Sequence, residues 1–455
     1  MTAIFAMPTT STAPTTSAAP DIITMGDHCV DEVAVLPTVR PRVAVLGLGY
    51  VGLPTALALA AGGADVVGID ICTERLAAIR SREVDLGPAD LERLEESLNR
   101  DHFDLSHDLD ALADVDAVII CVPTPIDNHF APDLAALRAA CAVVVAHARP
   151  GQTIVLTSTT YVGTTRELLA TPISARGLTV GSDVFIAFSP ERIDPGSYGH
   201  DSAGVPRVLG GVTPSCTERA ATVLELAAAD IHTVRSPEAA ELTKLHENTF
   251  RAVNLALVNE LADVAGALGL DVLEVIDAAS TKPYGFMKFT PGPGVGGHCI
   301  PCDPHYLLWQ LRSTRTEAPL IEQAMRSIAM RPGRVVQRAR ELLSDHGKSI
   351  RGARILIVGV AYKPGIEDVR ESPAVEIAGR LRDLGAEVSF TDPLVDRMVL
   401  RDGHALDSVA PEPGTNDLVV VHTVQPGMAF QWLHGEQLVL DATYTLGHLA
   451  QAESV

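Results

Sequence analysis

The segment RVAVLGLGYVGLP, beginning at Arg42, constrains the fold of this chain more than any other. A buried apolar strand runs into Gly47-x-Gly49-x-x-Gly52, and an apolar helix follows at once. Gly47 permits a tight turn, Gly49 lets the backbone approach a pyrophosphate, and Gly52 lets helix and strand pack closely. Tyr50 and Val51 complete the loop, and the amides at the helix start suit phosphate oxygens. A lone glycine pattern of this kind is weak. Here the next strand, ADVVGID, ends on Asp70 about twenty residues on, where a carboxylate accepts from a ribose 2′-hydroxyl and repels a 2′-phosphate. The expectation is NAD rather than NADP, with Arg75 flanking the adenine or balancing Asp70. FAD is the weaker alternative, because no second flavin motif follows.

Apolar strands recur at AVIICVP, TIVLTST and VFIAFSP, alternating with helical patterns. A second unit opens at ARILIVGVAYKPG and continues through AEVSFTD, LVVVH and LVLDAT. This alternation predicts an α/β protein with two Rossmann-like doubly wound parallel sheets. Between them, residues 236–269 read as one long helix, too long for an ordinary crossover and suited to a subunit interface. The expected organisation is a disordered Thr/Ala/Ser/Pro-rich extension over 1–36, a dinucleotide domain over 40–235, a helical middle over 236–335 and a C-terminal domain over 350–450. A Gly/Pro-rich loop is expected over 290–304, followed by short helices to about residue 346. The second unit has GVAYK in place of the three-glycine pattern, so it is not expected to hold another dinucleotide.

Composition narrows the partners. The 455 residues carry 35 basic and 57 acidic side chains, a net charge of −22, which argues against a general nucleic-acid binder. No apolar run reaches the roughly 18 residues that span a bilayer. The N-terminal residues lack the basic start and apolar stretch of a secretory signal, so the expectation is a cytoplasmic protein whose seven cysteines are thiols.

Chemistry concentrates in GVGGHCIPCDPHY. Gly294, Gly296 and Gly297 are read as letting the loop crowd a ligand and expose its amides. A thiolate at Cys299, near such amides and a lysine, would be a nucleophile. Two rival readings exist. His298, Cys299, Cys302 and His305 could ligate zinc, but such sites draw on two separated ligand pairs and no second pair follows, so no metal is expected. A redox Cys-x-x-Cys normally follows a strand in a small thioredoxin-like unit, which this context is not. Lys244 and Asn248 are four residues apart and share a helix face, with Arg251 a turn further on. Alone they read as a solvated face. Thr124, Thr159, Glu191 and Arg192 sit at predicted strand ends, where ligands gather in doubly wound sheets.

Together these segments resemble the UDP-glucose/UDP-N-acetylhexosamine 6-dehydrogenase family over about residues 42–445. The segments that carry the likeness are VAVLGLGYVGLP, CVPTP, STTYVGTT, SPERIDPG, KLHENTFRAVNLALVNELA, PGPGVGGHCIPCDP and GVAYKPGIEDVRESP, in family order. The resemblance implies NAD-dependent oxidation of a sugar C6 alcohol to a carboxylate, on a homodimer joined through the central helix. It implies Cys299 as nucleophile, Lys244 and Asn248 at the oxyanion, and Asp303 ordering water and the lysine. It further implies Glu191 in acid/base work and Thr159 orienting water. Arg370 would reach the cofactor side, and Thr124 and Thr159 would also contact NAD. The UDP-sugar would meet Glu191, Arg192, Lys244, Asn248, Arg251, Phe286, Gly296 and Lys363. The family also uses a basic residue from the neighbouring subunit, for which Arg251 and Lys282 are the possibilities.

SPERIDPG and the extra Pro-Gly step before the glycines resemble the N-acetylhexosamine branch, nearest to N-acetylglucosamine, with the mannosamine epimer and glucose as alternatives. Two positions depart from the pattern: Cys302, where an aliphatic residue is more usual, and HTVQPGMAF, unlike the expected T-x-H-x-x-F. A two-electron hydroxyacid dehydrogenase with a lysine base, or an NAD-sensing protein without turnover, are the rival functions.

Overall fold

Eight strands build the first sheet: β1 (Arg42–Leu46), β2 (Asp65–Ile69), β3 (Phe103–Ser106), β4 (Ala117–Ile120), β5 (Thr153–Leu156), β6 (Phe185–Phe188), β7 (Arg207–Gly211) and β8 (Ile231–Val234). Their order is β3-β2-β1-β4-β5-β6-β7-β8, and every pair is parallel except β6–β7. Strands β1, β4 and β5 are almost wholly buried because helices cover both faces, so they read as continuous apolar runs rather than alternating ones. The computed structural model describes residues 40–127, 129–192, 204–297, 299–433, 437–447 and 452–455. The extension expected over 1–36, and His298, lie outside the described residues.

The second sheet has the order β10-β9-β13-β14-β15 and is parallel throughout. Its strands are β9 (Arg354–Val358), β10 (Glu387–Thr391), β13 (Leu418–Val421), β14 (Val439–Asp441) and β15 (Ala452–Ser454). A small antiparallel pair, β11 (Arg397–Val399) and β12 (Ala405–Asp407), lies between β10 and β13 in the chain. The protein is thus mixed α/β with two Rossmann-like domains.

The central helix, Pro237–Leu268, is one uninterrupted element of 32 residues. Its ends are written in the sequence. The Ser236 side chain accepts from the Ala239 amide, Pro237 opens the first turn, and Gly269 closes the helix in the left-handed conformation at φ 68°. The helix spans about 48 Å at 1.5 Å per residue, enough to bridge both domains. It buries Ala240, Leu245, Ala252, Ala256, Ala262 and Ala265, and the small Ala252 and Ala256 let two further helices approach it.

Those helices depart from the sequence reading. The Gly/Pro-rich stretch becomes helical at Cys299, and in place of the expected short helices stand two longer ones, Cys299–Thr314 of 16 residues and Pro319–Asp345 of 27. Prolines 301 and 304 look like breakers. Pro301 falls in the opening turn, where a missing N–H removes a donor that would have no partner within the helix, whereas Pro304 stands inside the helix and gives up one i→i−4 bond there.

One buried side chain ties the three-helix layer together. Arg331, on the Pro319–Asp345 helix, donates to the Gly292 carbonyl (3.0 Å), Asp263 (2.8 Å) and the Tyr444 hydroxyl (2.6 Å). It thereby links the central helix, the segment leading to Cys299 and the C-terminal domain.

Candidate functional site

The glycine loop takes the shape its sequence requires. Gly47 has φ 90°, and a Cβ there would lie 2.7 Å from the Cys121 carbonyl. A Cβ on Gly52 would lie 1.7 Å from the Gly47 carbonyl, so the helix can start this close only with glycine. At Gly49 a Cβ would meet nothing within 4 Å, which leaves the outer face of the loop open to a ligand. These three positions fit the diphosphate of a dinucleotide.

Asp70, expected to read a ribose, has a structural part in the loop. Its carboxylate accepts the amides of Leu48 (2.8 Å) and Cys72 (2.9 Å), so it also braces the loop. Arg75 donates to the Leu48 carbonyl at 2.9 Å rather than pairing with Asp70, so both polar groups of that peptide are held. Val51 begins the first helix turn, and Tyr50 projects outward, 40% exposed. The Arg370 guanidinium lies 4.6 Å from the Tyr50 ring centroid and is paired with Asp368, so the C-terminal domain reaches the cofactor loop.

Cys299 is an exposed thiol at the first residue of its helix, where the helix dipole favours negative charge. The glycines before it act differently from the sequence reading: they admit protein. A Cβ on Gly296 would lie 2.6 Å from the Tyr362 Cβ. On Gly297 it would meet the Tyr362 ring at 2.8 Å, and on Gly294 the Pro373 ring at 2.8 Å. The Gly297 amide donates to the Arg370 carbonyl at 3.1 Å, and the Gly292 amide to Asn259 at 3.0 Å. The loop is therefore gripped by the C-terminal domain and the central helix. Cys302, one turn on, is buried, and burial pushes its thiol up to about 12, which leaves it an inert apolar filler.

Asp303 connects the helices. It is 1% exposed and accepts from the Asn248 amide on the central helix. Burial pushes its carboxyl up to about 6, against the opposing pull of the Lys244 charge and the Asn248 hydrogen bond. Lys244 donates to the Glu191 carbonyl at 3.0 Å. The structure thus gathers Lys244, Asn248 and Asp303, with Cys299 one turn before Asp303, and brings Glu191 to them through its backbone.

The Glu191 side chain is engaged elsewhere. It pairs with the buried Arg207 on β7 and accepts from the Arg192 amide. Arg192 spends its guanidinium on the Pro206 carbonyl (2.7 Å) and on Glu247. Neither side chain points its charge at the Lys244–Asp303 centre through any bond among the described residues. Thr124 is buried and accepts the Tyr306 hydroxyl on its carbonyl at 2.8 Å, and Thr159 is half-buried at the β5 end. Arg251 is exposed one turn beyond Asn248. Lys282 lies 5.0 Å from the Tyr284 ring, Phe286 is exposed, and Lys363 lies over Tyr362 at 5.8 Å. Sequence reasoning missed Arg207, Tyr306, Gln310 and Glu241. Each acts through a partner far along the chain, and only Glu241 left a local trace, a carboxylate in the first turns of a long helix.

The bracing role of Asp70 and its expected part in cofactor choice set a test. Asp70→Ala lowers the preference for NAD over NADP and also lowers the melting temperature, because the Leu48 amide loses its acceptor at a cost of about 1–3 kcal/mol. Cofactor titrations and thermal melts check this; unchanged selectivity assigns ribose reading to another group.

Comparison with known proteins agrees with this geometry. Three models of the UDP-glucose/GDP-mannose dehydrogenase family match in order: the NAD binding domain over residues 41–227, the central domain over 238–327 and the UDP binding domain over 356–446. A UDP-N-acetyl-D-mannosamine dehydrogenase from Pyrococcus horikoshii is 34% identical over 386 residues, 85% of this chain and 90% of that protein. A UDP-N-acetyl-D-glucosamine 6-dehydrogenase from Pseudomonas aeruginosa is 32% identical over 416 residues, 89% of this chain and 97% of that protein. The solved structure of a UDP-glucose dehydrogenase from Pyrobaculum islandicum superposes with a TM-score of 0.81 at 27% identity, covering 92% of this chain and 97% of that one. The chain belongs to the UDP-glucose/GDP-mannose dehydrogenase family and is an NAD-dependent nucleotide-sugar dehydrogenase.

Proposed function

We propose that this enzyme oxidises the C6 alcohol of a UDP-N-acetylhexosamine to the carboxylate through a covalent adduct on Cys299. The observation that carries the reading is the bond between Asn248 and buried Asp303, which brings the Lys244/Asn248 face of one helix to the Cys299 end of another. NAD would supply the hydride acceptor, one molecule for each of the two oxidations at C6. The first oxidation gives an aldehyde, and the alcohol proton leaves to solvent. The Cys299 sulfur then bonds to C6, and the carbonyl oxygen takes a proton to give a thiohemiacetal, so the aldehyde cannot diffuse away. Loss of the second hydride and the hydroxyl proton gives a thioester. Water adds to it, the C–S bond breaks, and sulfur recovers a proton as the acid departs.

Lys244 and Asn248 place positive charge and an amide donor where oxygen becomes anionic, and Thr159 orients the water. Ionised Asp303 holds Asn248 and offsets Lys244. Glu191 positions Lys244 through its carbonyl, while its side chain pairs with Arg207. By the family likeness Lys363, Phe286, Gly296 and Arg251 would meet the UDP-sugar, and Arg370, which lies over Tyr50, would stand on the cofactor side. Cys299→Ala should lose several orders of magnitude in acid formation, while the wild type releases two NADH per sugar. One NADH per sugar, or high activity without the thiol, rejects the covalent route.

The buried carboxyl gives a pH signature. As pH falls through about 6, Asp303 gains a proton and stops offsetting Lys244, so kcat/KM should fall on the acid side of that value. Asp303→Asn should abolish that limb. An identical limb in the variant assigns it to another group.

Among substrates we favour UDP-N-acetylglucosamine, from the SPERIDPG segment and the Pro-Gly step before the glycines. The commitment of Arg192 to Pro206 and Glu247 removes the simplest acetamido contact, and relatives named for the mannosamine epimer keep that sugar as the second reading. The test is kcat/KM for UDP-N-acetylglucosamine, UDP-N-acetylmannosamine and UDP-glucose under one condition. A highest value for UDP-glucose overturns the acetamido assignment and leaves the chemistry standing.

The central helix also favours a homodimer. Phe250, Leu257 and Val264 recur every seven residues on its outer side and are all exposed, with Leu268 beyond them. Such a seam suits a second copy of the helix. Leu257→Glu should shift the mass measured by light scattering from dimer to monomer; a wild-type monomer contradicts the assembly.

No helix among the described residues is long and apolar enough to cross a membrane.

A further inference from the structure

The β5 loop that carries Thr159 is gripped from two sides. Glu241, on the central helix three residues before Lys244, is 1% exposed. It accepts from the Gly163 amide, the Thr165 amide (2.9 Å) and the Thr165 hydroxyl (2.6 Å). Gln310, on the helix that begins at Cys299, takes both polar groups of a single residue. The Val162 amide donates to its carbonyl oxygen at 3.0 Å, and its own amide donates to the Val162 carbonyl at 2.7 Å. Trp309 lies beside Tyr161, with ring centroids 5.5 Å apart. Tyr306 binds the β4 loop at Thr124 from the same helix. The two helices that carry the reactive groups therefore each send a side chain to one loop.

A paired contact of this kind fixes both position and twist of the loop, since a single bond would leave it free to pivot about the bond axis. We infer that Gln310 is a positioning residue that sets Thr159 against Cys299, and that it serves the hydrolytic step more than the oxidations. This rests on the thioester reading above. The reason lies in what each step needs. Hydride transfer depends on how the sugar lies against the cofactor. Hydrolysis depends on a water held between the β5 loop and the thioester carbon, and the Gln310–Val162 clamp, with the Tyr161–Trp309 ring contact beside it, links that loop directly to the helix bearing the sulfur. In that step a bond forms from the water oxygen to C6, the C6–S bond breaks, one proton goes to sulfur and one to solvent.

The test uses the full-length enzyme with Gln310→Leu and, as an unbranched replacement, Gln310→Met. Rapid mixing with NAD and UDP-sugar gives the pre-steady-state NADH amplitude and the steady-state rate. Acid quench and intact-protein mass give the fraction of enzyme carrying an acyl group on Cys299. Expected in the variants are a retained first-turnover NADH amplitude, a steady-state rate lower by about ten- to a hundredfold, as displacement of a positioned group brings, and acyl-enzyme accumulating above the wild-type level. A purely structural role would instead lower the melting temperature and slow the first turnover in parallel, with no accumulation. That result, or an unchanged steady-state rate, overturns the inference. Wild-type enzyme run alongside separates the two claims. If no acyl species on Cys299 can be trapped even there, the thioester reading fails and this inference falls with it. If the wild type shows the species and the variants do not enrich it, only the role of Gln310 is rejected.

Discussion

A carboxylate removed from water must find a partner or give up its charge, and in this protein Asp303 is the group on which that rule bears hardest. It sits one turn into the helix that begins at Cys299, almost wholly buried, and its pKa is raised by burial even though Lys244 and Asn248 oppose the shift. Burying it alone would cost several kcal/mol, so the central helix must lie where Asn248 can donate to it. That single requirement fixes the cysteine relative to Lys244. The remaining anchors of the cysteine helix, Tyr306 on the β4 loop and Gln310 on the β5 loop, then set it against the cofactor domain.

The same helix start marks where the two domains meet. Ahead of Cys299, the backbone is held by Arg331 and Asn259 at Gly292 and by Arg370 at Gly297, while Tyr362 and Pro373 press into the gaps left by the glycines. Arg370 also covers Tyr50 of the cofactor loop. Domain movement on nucleotide binding would therefore be felt at Cys299 through a few residues of backbone, a short mechanical path between the UDP-binding and NAD-binding units.

Much of this was legible in the sequence, for reasons that can be located. Gly47, Gly52 and Asp70 act within one strand–turn–helix–strand unit, so their spacing carries their meaning. Ser236 and Gly269 marked the ends of the central helix for the same reason. The glycines at 294, 296 and 297 were read as room for a ligand. Their neighbours, Tyr362 and Pro373, lie more than sixty residues away, and nothing local tells protein from ligand. The start of the helix at Cys299 was hidden by Pro301, harmless in a first turn, and by Pro304, which the helix carries in its interior. Arg207 was hidden because a buried cation at the head of an apolar strand reads as the strand boundary. Glu191 and Arg192 were placed correctly at a strand end, but the ion pairs that occupy their side chains come from β7 and the central helix.

The central claim is that the Asn248–Asp303 contact joins two helices into one reactive centre. A double-mutant cycle on kcat/KM with Asn248→Ala, Asp303→Ala and the pair measures it most directly. The account predicts strong coupling: each single change costs nearly as much as both together, with a coupling energy of about 1–3 kcal/mol, because either one breaks the same junction. Losses that simply add would mean that the two side chains act independently, and the account would be wrong.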